Sequence, residues 1–313
     1  MKNAHKLTEG ALFLAIFAVL LLITIYIPVL GVVVNLFIAL PFIMFSAKHD
    51  RKSAIVVLIG AILISLIVGT VMAIPLALTY GLTGIVIGDF IREKKSWIVG
   101  FIAGAMTFLL ALVLQYVISV VFLEMDVIQE TIQIFEDSIA QAFDMLAALG
   151  QTPDARVIEQ FETSVEMLKI LVPSVFVMVS FMIVFIIELI SFPIAKRFGI
   201  EIPKWITFRD LKLPKSLLWY YLIVLLASLM LNPEQGTFLY TASMNLSFIL
   251  QFFMVIQGLA FVFYFSHVKE MPKFIPIIVT VFTFIFPILL YIVRILGIID
   301  LGFDLRKRVA EKK

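Results

Sequence analysis

The 313-residue sequence has no cysteine, only three histidines, and 15% charged residues against a soluble average of roughly 25%. Without cysteine there are no disulfides, no thiolate nucleophile and no Cys-ligated metal. His5, His49 and His267 all fall in short basic stretches and are too scattered for one metal site, so neither a metal nor a cofactor is expected. G-x-x-x-x-G-K-[ST], H-E-x-x-H and G-x-S-x-G are all missing, and no pair of acids lies within an apolar run. The chain is therefore not read as an enzyme. No basic surface with interleaved aromatics argues for nucleic acid.

What the chain has instead is apolar surface, at 62% of its residues and a mean hydropathy of +1.12. A soluble core does not need that much, whereas a stack of bilayer-length helices does. Of the 24 Lys and Arg residues, 21 fall in six clusters: 2–6, 48–52, 92–95, 196–215, 269–273 and 306–313. By the positive-inside rule all six belong on the cytoplasmic side of a bacterial plasma membrane, with the N-terminus inside and the clusters against anionic headgroups. Lys2 and Lys6 before an apolar run imitate a secretory signal. The run over 11–27 is too long for one and leads directly into further spans, so it reads as an uncleaved first helix.

The fold class expected is all-α, a polytopic transmembrane bundle of about nine or ten membrane segments. Spans 1 to 5 are placed at 9–27, 30–46, 53–68, 69–92 and 97–123. Residues 124–169 then carry ten acids against Arg156 and Lys169, which places this insert outside the cell. Two sets of apolar residues at helical spacing, Val127 to Leu146 and Val157 to Leu168, flank Gly150-Gln-Thr-Pro153. They predict an extracellular acidic helical hairpin resting its apolar stripe on the bundle. Span 6, at 171–195, completes a six-span bundle over 1–195.

Residues 196–216 form a basic cytoplasmic interfacial loop, 217–303 hold the C-terminal membrane segments, and 304–313 are a basic cytoplasmic tail. Spans 7 and 8 lie at 217–231 and 238–266. The stretch 274–303 poses a conflict. One span would put the basic tail outside, while two spans broken near Pro287 are each only about 13–16 residues, below the usual minimum of roughly 17. The five basic residues of the tail favour the hairpin.

Within 69–95 no charge appears before Asp89, and Gly81, Gly84 and Gly88 recur at helical spacing. Small residues at that spacing let backbones approach, so this helix is expected at the centre of the bundle, packed through those glycines. Pro75 removes a donor and predicts that the backbone in its outer half is kinked, or opened toward a cavity or a partner helix. Polar and charged groups at membrane depth are site candidates by default, Glu188 and Arg294 foremost among the charges. Arg294 and Asp300 are expected to pair with each other or with Glu188, and Asp89 with Arg92 one turn on. Asn245, Gln251 and Gln257 read as hydrogen-bonding glue between helices. Asn35, Gln115, Tyr116, Ser119 and Ser174 all fall in outer halves of spans, where polar groups in an apolar wall are the usual form of a small-ligand site.

Gln257-Gly258 and the run Gly297-Ile-Ile-Asp300-Leu-Gly-Phe-Asp304-Leu-Arg306-Lys resemble the YybS-like family of multi-pass bacterial membrane proteins of uncharacterised function. The first six spans are also similar to the S components of energy-coupling-factor transporters. That similarity rests on Ala11-Leu-Phe-Leu-Ala15, Ile27-Pro28-Val-Leu-Gly31 and the glycines of span 4. It implies small-solute binding and uptake, with Ala11 and Ala15 matching the A-x-x-x-A face by which S components dock onto a transmembrane coupling subunit with its ATPases. An S component usually ends after six spans, whereas this chain adds the acidic insert and about 110 further residues. The alternative is a non-transporting scaffold that recruits partner proteins through the acidic hairpin or the basic loop 196–216.

Overall fold

Prolines and one strained threonine set where the first helices break. The computed structural model describes residues 2–151 and 154–310. Helix α1 (Lys2–Tyr26) stops where Ile27 becomes extended ahead of Pro28, and Pro28 opens α2 (Pro28–Val34) at a position that needs no donor. A 3-10 turn, Asn35–Phe37, then leads into α3 (Leu40–Lys48), with Pro41 in its first turn. The second predicted span is thus a broken helix with Asn35 at the break.

Asp50 caps α4 (Arg51–Gly69) by accepting from the Ser53 amide at 3.3 Å. At Thr70 the backbone turns to φ 61°, an unusual value for a β-branched residue, and a 3-10 turn over Val71–Ala73 precedes α5 (Ile74–Arg92). This corrects the expected kink at Pro75. Pro75 lies in the first turn of α5, where its missing N–H is one of those a helix leaves unpaired anyway.

The chain forms two compact units, Met1–Pro153 with Phe176–Trp205, and Asp154–Val175 with Ile206–Lys313. In the first, α5 runs through the middle with eleven buried residues. Gly84 and Gly88 of its glycine stripe lie on the backbone at and just before α3, and Gly81 on the Leu58 and Phe42 side chains. A Cβ at Gly84 would stand 2.7 Å from the Ala39 carbonyl oxygen, and one at Gly88 would collide with that of Ile43. Ser46 takes advantage of the approach and donates to the Ile85 carbonyl at 2.8 Å. Phe17, Leu21, Ile38, Phe42, Ile43 and Ile87 fill the core around this crossing, Phe17 standing edge-on to Phe42. Helix α6 (Trp97–Phe122) closes on α5 through Gly104, whose missing Cβ leaves room for Ile87.

Helix α7 (Val127–Ala148) starts at Asp126, whose carboxylate accepts from the Gln129 amide at 3.0 Å. None of its residues is buried, so the predicted apolar stripe does not enter a core. Its intended partner belongs elsewhere: α8 (Ala155–Arg197) is one helix of 43 residues whose start falls in the second unit and whose end falls in the first. At 1.5 Å per residue such a helix is about 65 Å long, twice a bilayer core. The second hairpin helix and span 6 are therefore one element. Pro153 of the predicted separator lies outside the described residues.

The second unit contains α9 (Ser216–Leu231), α10 (Phe238–Val268), α11 (Phe274–Ile285), α12 (Pro287–Phe303) and α13 (Leu305–Ala310). Helices α10 and α12 cross through facing glycines: a Cβ on Gly258 would collide with the Val293 carbonyl oxygen, and one on Gly297 with that of Met254. Between α11 and α12 the chain bends by 118° at Phe286-Pro287. Pro287 again supplies the first turn of a new helix, and 274–303 is two segments. Of the basic tail, Lys312 and Lys313 lie outside the described residues. Seven of the described helices or broken helices are long and apolar enough to cross a bilayer, beside the bent pair and the shorter α9. Large apolar side chains such as Leu110, Val121, Leu229 and Ile288 face outward along them. A soluble protein does not expose apolar surface on that scale, but a lipid-solvated one does.

Candidate binding site

In the first unit the end carrying the basic clusters is held by paired charges. Asp89, buried near the C-terminus of α5, accepts from Arg51 Nε at 2.6 Å and from Arg92, and Arg51 reaches on to Glu93 at 2.6 Å. Arg92 also donates to the His49 carbonyl at 2.5 Å. Glu9 of α1 meets Lys48 at 2.7 Å and His49 Nε2 at 2.8 Å, and Lys6 pairs with Asp50. Asp89 thus has the local partner expected, with Arg51 of α4 added from a distant stretch. Each charge in this cluster is matched, so the cluster locks α1, α4 and α5 together and leaves no carboxylate spare.

The opposite end differs. Asn35, at the break between α2 and α3, donates from Nδ2 to the Tyr80 hydroxyl at 2.8 Å, while its Oδ1 is buried without a partner. The Thr24 hydroxyl on α1 is likewise buried and unpartnered. Gln115 of α6 donates to the Pro75 carbonyl at 3.1 Å and to the Thr79 hydroxyl, joining α6 to the first turns of α5. Tyr80 is buried edge-on to Phe108. Tyr116 and Ser119 are used locally: Tyr116 donates to Asp126 at 3.2 Å, and Ser119 to the Met125 carbonyl at 2.7 Å, both fastening the turn from α6 to α7. Ser174 belongs to the second unit, where its amide and hydroxyl are both bonded to Asn245 at 2.7–3.0 Å. The structure therefore gathers Asn35 and Gln115, through Tyr80 and Thr79, around the start of α5.

Glu188, on the last third of α8, is fully buried. Its Oε2 accepts from Trp97 Nε1 at 2.7 Å, and its Oε1 has no partner. Trp97 stacks on Trp205 with ring centres 5.1 Å apart, and Phe185 and Phe192 meet Trp205 at steep angles. In the second unit Arg294 donates to Gln251 at 2.5 Å and lies over the Tyr291 ring. Asp300 is held by Arg306 Nε at 3.1 Å and by Gln257 Nε2 at 2.5 Å, and Gln257 accepts from the Leu213 amide. Arg294 and Asp300 are thus partnered otherwise than expected. Both Asn245 and Gln257 bridge separate segments, as helix glue does.

On α1, Ala11 and Ala15 are exposed on one face. Gly81, Gly84 and Gly88 all point into packed neighbours. Sequence reading missed Tyr80, Thr79 and Thr24, because Tyr and Thr in an apolar helix carry no signal until a partner is known.

An all-α chain that folds back repeatedly through bilayer-length helices, exposes apolar side chains along them and pairs most of its buried polar groups is a multi-pass integral membrane protein. It belongs to the family described as "Predicted membrane protein (DUF2232)", whose model matches residues 15–301. It is also 32% identical over 310 residues to "Uncharacterized protein YybS" of Bacillus subtilis (strain 168), a match covering 99% of this chain and 100% of that one. No solved structure matches.

Proposed function

We propose that the first unit binds a small, uncharged polar solute at the end opposite the basic clusters and passes it inward in the manner of an energy-coupling-factor S component. The carrying observation is Asn35 Oδ1, a buried acceptor beside Tyr80 that the protein itself leaves without a donor. A buried unpaired acceptor is costly, and a solute hydroxyl or amide would satisfy it. Thr24 offers a second hydrogen-bonding group at the same end. The similarity of the first six spans to S components supports the reading, as does the exposure of Ala11 and Ala15, which leaves that face of α1 free for a coupling subunit with its ATPases. In this reading the basic clusters face the cytoplasm of a bacterial cell and the acidic α7 lies outside.

A second reading, a scaffold without a solute, is favoured by α7, which presents Ile134 and Met145 with no residue buried. One experiment separates the two: purification of the tagged protein in mild detergent with mass spectrometry of co-purifying metabolites and proteins. Solute binding predicts a metabolite held by the wild type and lost from Asn35→Leu and Tyr80→Phe, together with a coupling subunit and ATPases. The same metabolites from all three proteins would defeat it. Recovery of envelope proteins alone, lost when 127–148 are deleted, would establish the scaffold instead.

A further inference from the structure

Three carboxylates are buried among the described residues, and two of them are matched: Asp89 by Arg51 and Arg92, Asp300 by Arg306. Glu188 has only the neutral indole N–H of Trp97. It lies on the wall of a crevice lined also by Ile91, Lys95, Ser96, Trp97, Phe192 and Pro203, with room for about one water molecule. Its Oε1 is the unpartnered atom. Ser191, one turn further along α8, is also fully buried and its hydroxyl is unpartnered. Lys95 on the lining is exposed and makes no ion pair with Glu188, while Lys94 and Glu201 are occupied with each other at 2.9 Å.

We propose that this crevice binds one monovalent cation, a proton or a sodium ion, which neutralises the Glu188 carboxylate. An ionised carboxylate in apolar surroundings with a single neutral donor is expensive, and a cation on Oε1 removes that cost. The donor set selects the charge class. Divalent ions take several carboxylate or carbonyl oxygens, and among the described residues no three acids or histidines are placed to hold a metal ion. One carboxylate on the wall of a space the size of a water suits a singly charged ion. The site is at the basic end of the unit and stands on different residues from the solute site, so either proposal survives failure of the other.

Trp97 is the built-in reporter, since it donates to Glu188 and stacks on Trp205. Full-length protein carrying Trp219→Phe, in lipid nanodiscs, would be titrated with sodium chloride against choline chloride at constant ionic strength, and separately with pH, while indole emission is followed. A saturable change with sodium at fixed pH identifies sodium. A change with pH that sodium does not move identifies the proton. Either is abolished by Glu188→Gln, and Glu188→Asp, which draws the carboxyl back from Trp97, moves the midpoint. Emission that responds to neither ion, or that responds unchanged in Glu188→Gln or, should that variant fail to fold, in Glu188→Asp, overturns the proposal.

Discussion

Both compact units are built on a helix crossing so close that only glycine fits, and they reach it by different routes. In the first unit the two glycines of the crossing, Gly84 and Gly88, stand on one helix, α5, and lie on the carbonyls of Ala39 and Ile43. In the second, Gly258 of α10 and Gly297 of α12 face each other, so that each helix presses on the other's backbone. Beside the second crossing the buried Gln257 and Asp300 and the half-buried Arg306 are bonded together, whereas the first unit leaves Asn35 Oδ1, Glu188 Oε1 and the Thr24, Thr83 and Ser191 hydroxyls without partners. Apart from Asp300 Oδ1, the second unit pairs what it buries. Unpaired buried groups destabilise a fold and persist where they serve something else. That contrast is why both proposed sites are placed in the first unit.

The largest expected effects test the paired groups of the second unit. Asp300→Asn leaves Arg306 without its charge partner in a buried site and should cost about 3–5 kcal/mol, the usual penalty for breaking such a pair. Glu188→Gln, which removes a charge that no Arg or Lys matches, should leave the melting temperature unchanged or raise it. Thermal unfolding in a fixed detergent measures both, and equal losses from the two variants would break the comparison. Next come the crossings. Gly258→Ala and Gly297→Ala each place a methyl against a backbone carbonyl, as do Gly84→Ala and Gly88→Ala, and overpacking of this kind costs about 1–3 kcal/mol. Gly100→Ala is the control, since its Cβ would meet only Phe90 Cβ at 3.4 Å. Tolerance of Gly84→Ala and Gly88→Ala alongside losses at Gly258 and Gly297 would mean that the first crossing is slack.

These two crossings also show what a sequence discloses. Gly81, Gly84 and Gly88 sit within one helix, so their spacing is visible and their packing role can be read directly. Gly258 and Gly297 are 39 residues apart, and nothing in either stretch says that they meet. The helices themselves were legible from apolar run length and the position of charges, down to the break at Pro287. Their joints were less so. Pro75 is as compatible with a kink as with a first turn, and the choice depended on Thr70 leaving the helix just before it. The second helix of the acidic hairpin and span 6 merged into α8 because no proline or glycine between Ala155 and Pro173 ends the helix where the charge pattern changes. At the candidate sites, Asn35 and Glu188 were conspicuous as polar groups in apolar runs. Their partners Tyr80 and Trp97 come from other helices and were not.

The smallest effect expected is at the exposed charges, where the two units ought to behave alike. Asp304 in the second unit is held well below the usual carboxylate range by hydrogen bonds from Lys212 and Lys215, and Asp50 in the first by Lys6. A carboxylate whose pKa falls on folding contributes stability above its unfolded value of about 3.9 and loses it as pH drops through the lower folded value. Asp304 also has a left-handed backbone, φ 48° and ψ 52°, which asparagine adopts readily. Asp304→Asn therefore removes the charge without straining the turn. The melting temperature of the wild type should exceed that of Asp304→Asn by a constant margin near neutral pH. The margin should shrink below about pH 4 and narrow in high salt, because partly exposed pairs are screened. A margin that persists at acid pH would mean that the advantage of the wild type does not come from the Asp304 charge, and the pairing with Lys212 and Lys215 would then contribute nothing to the second unit.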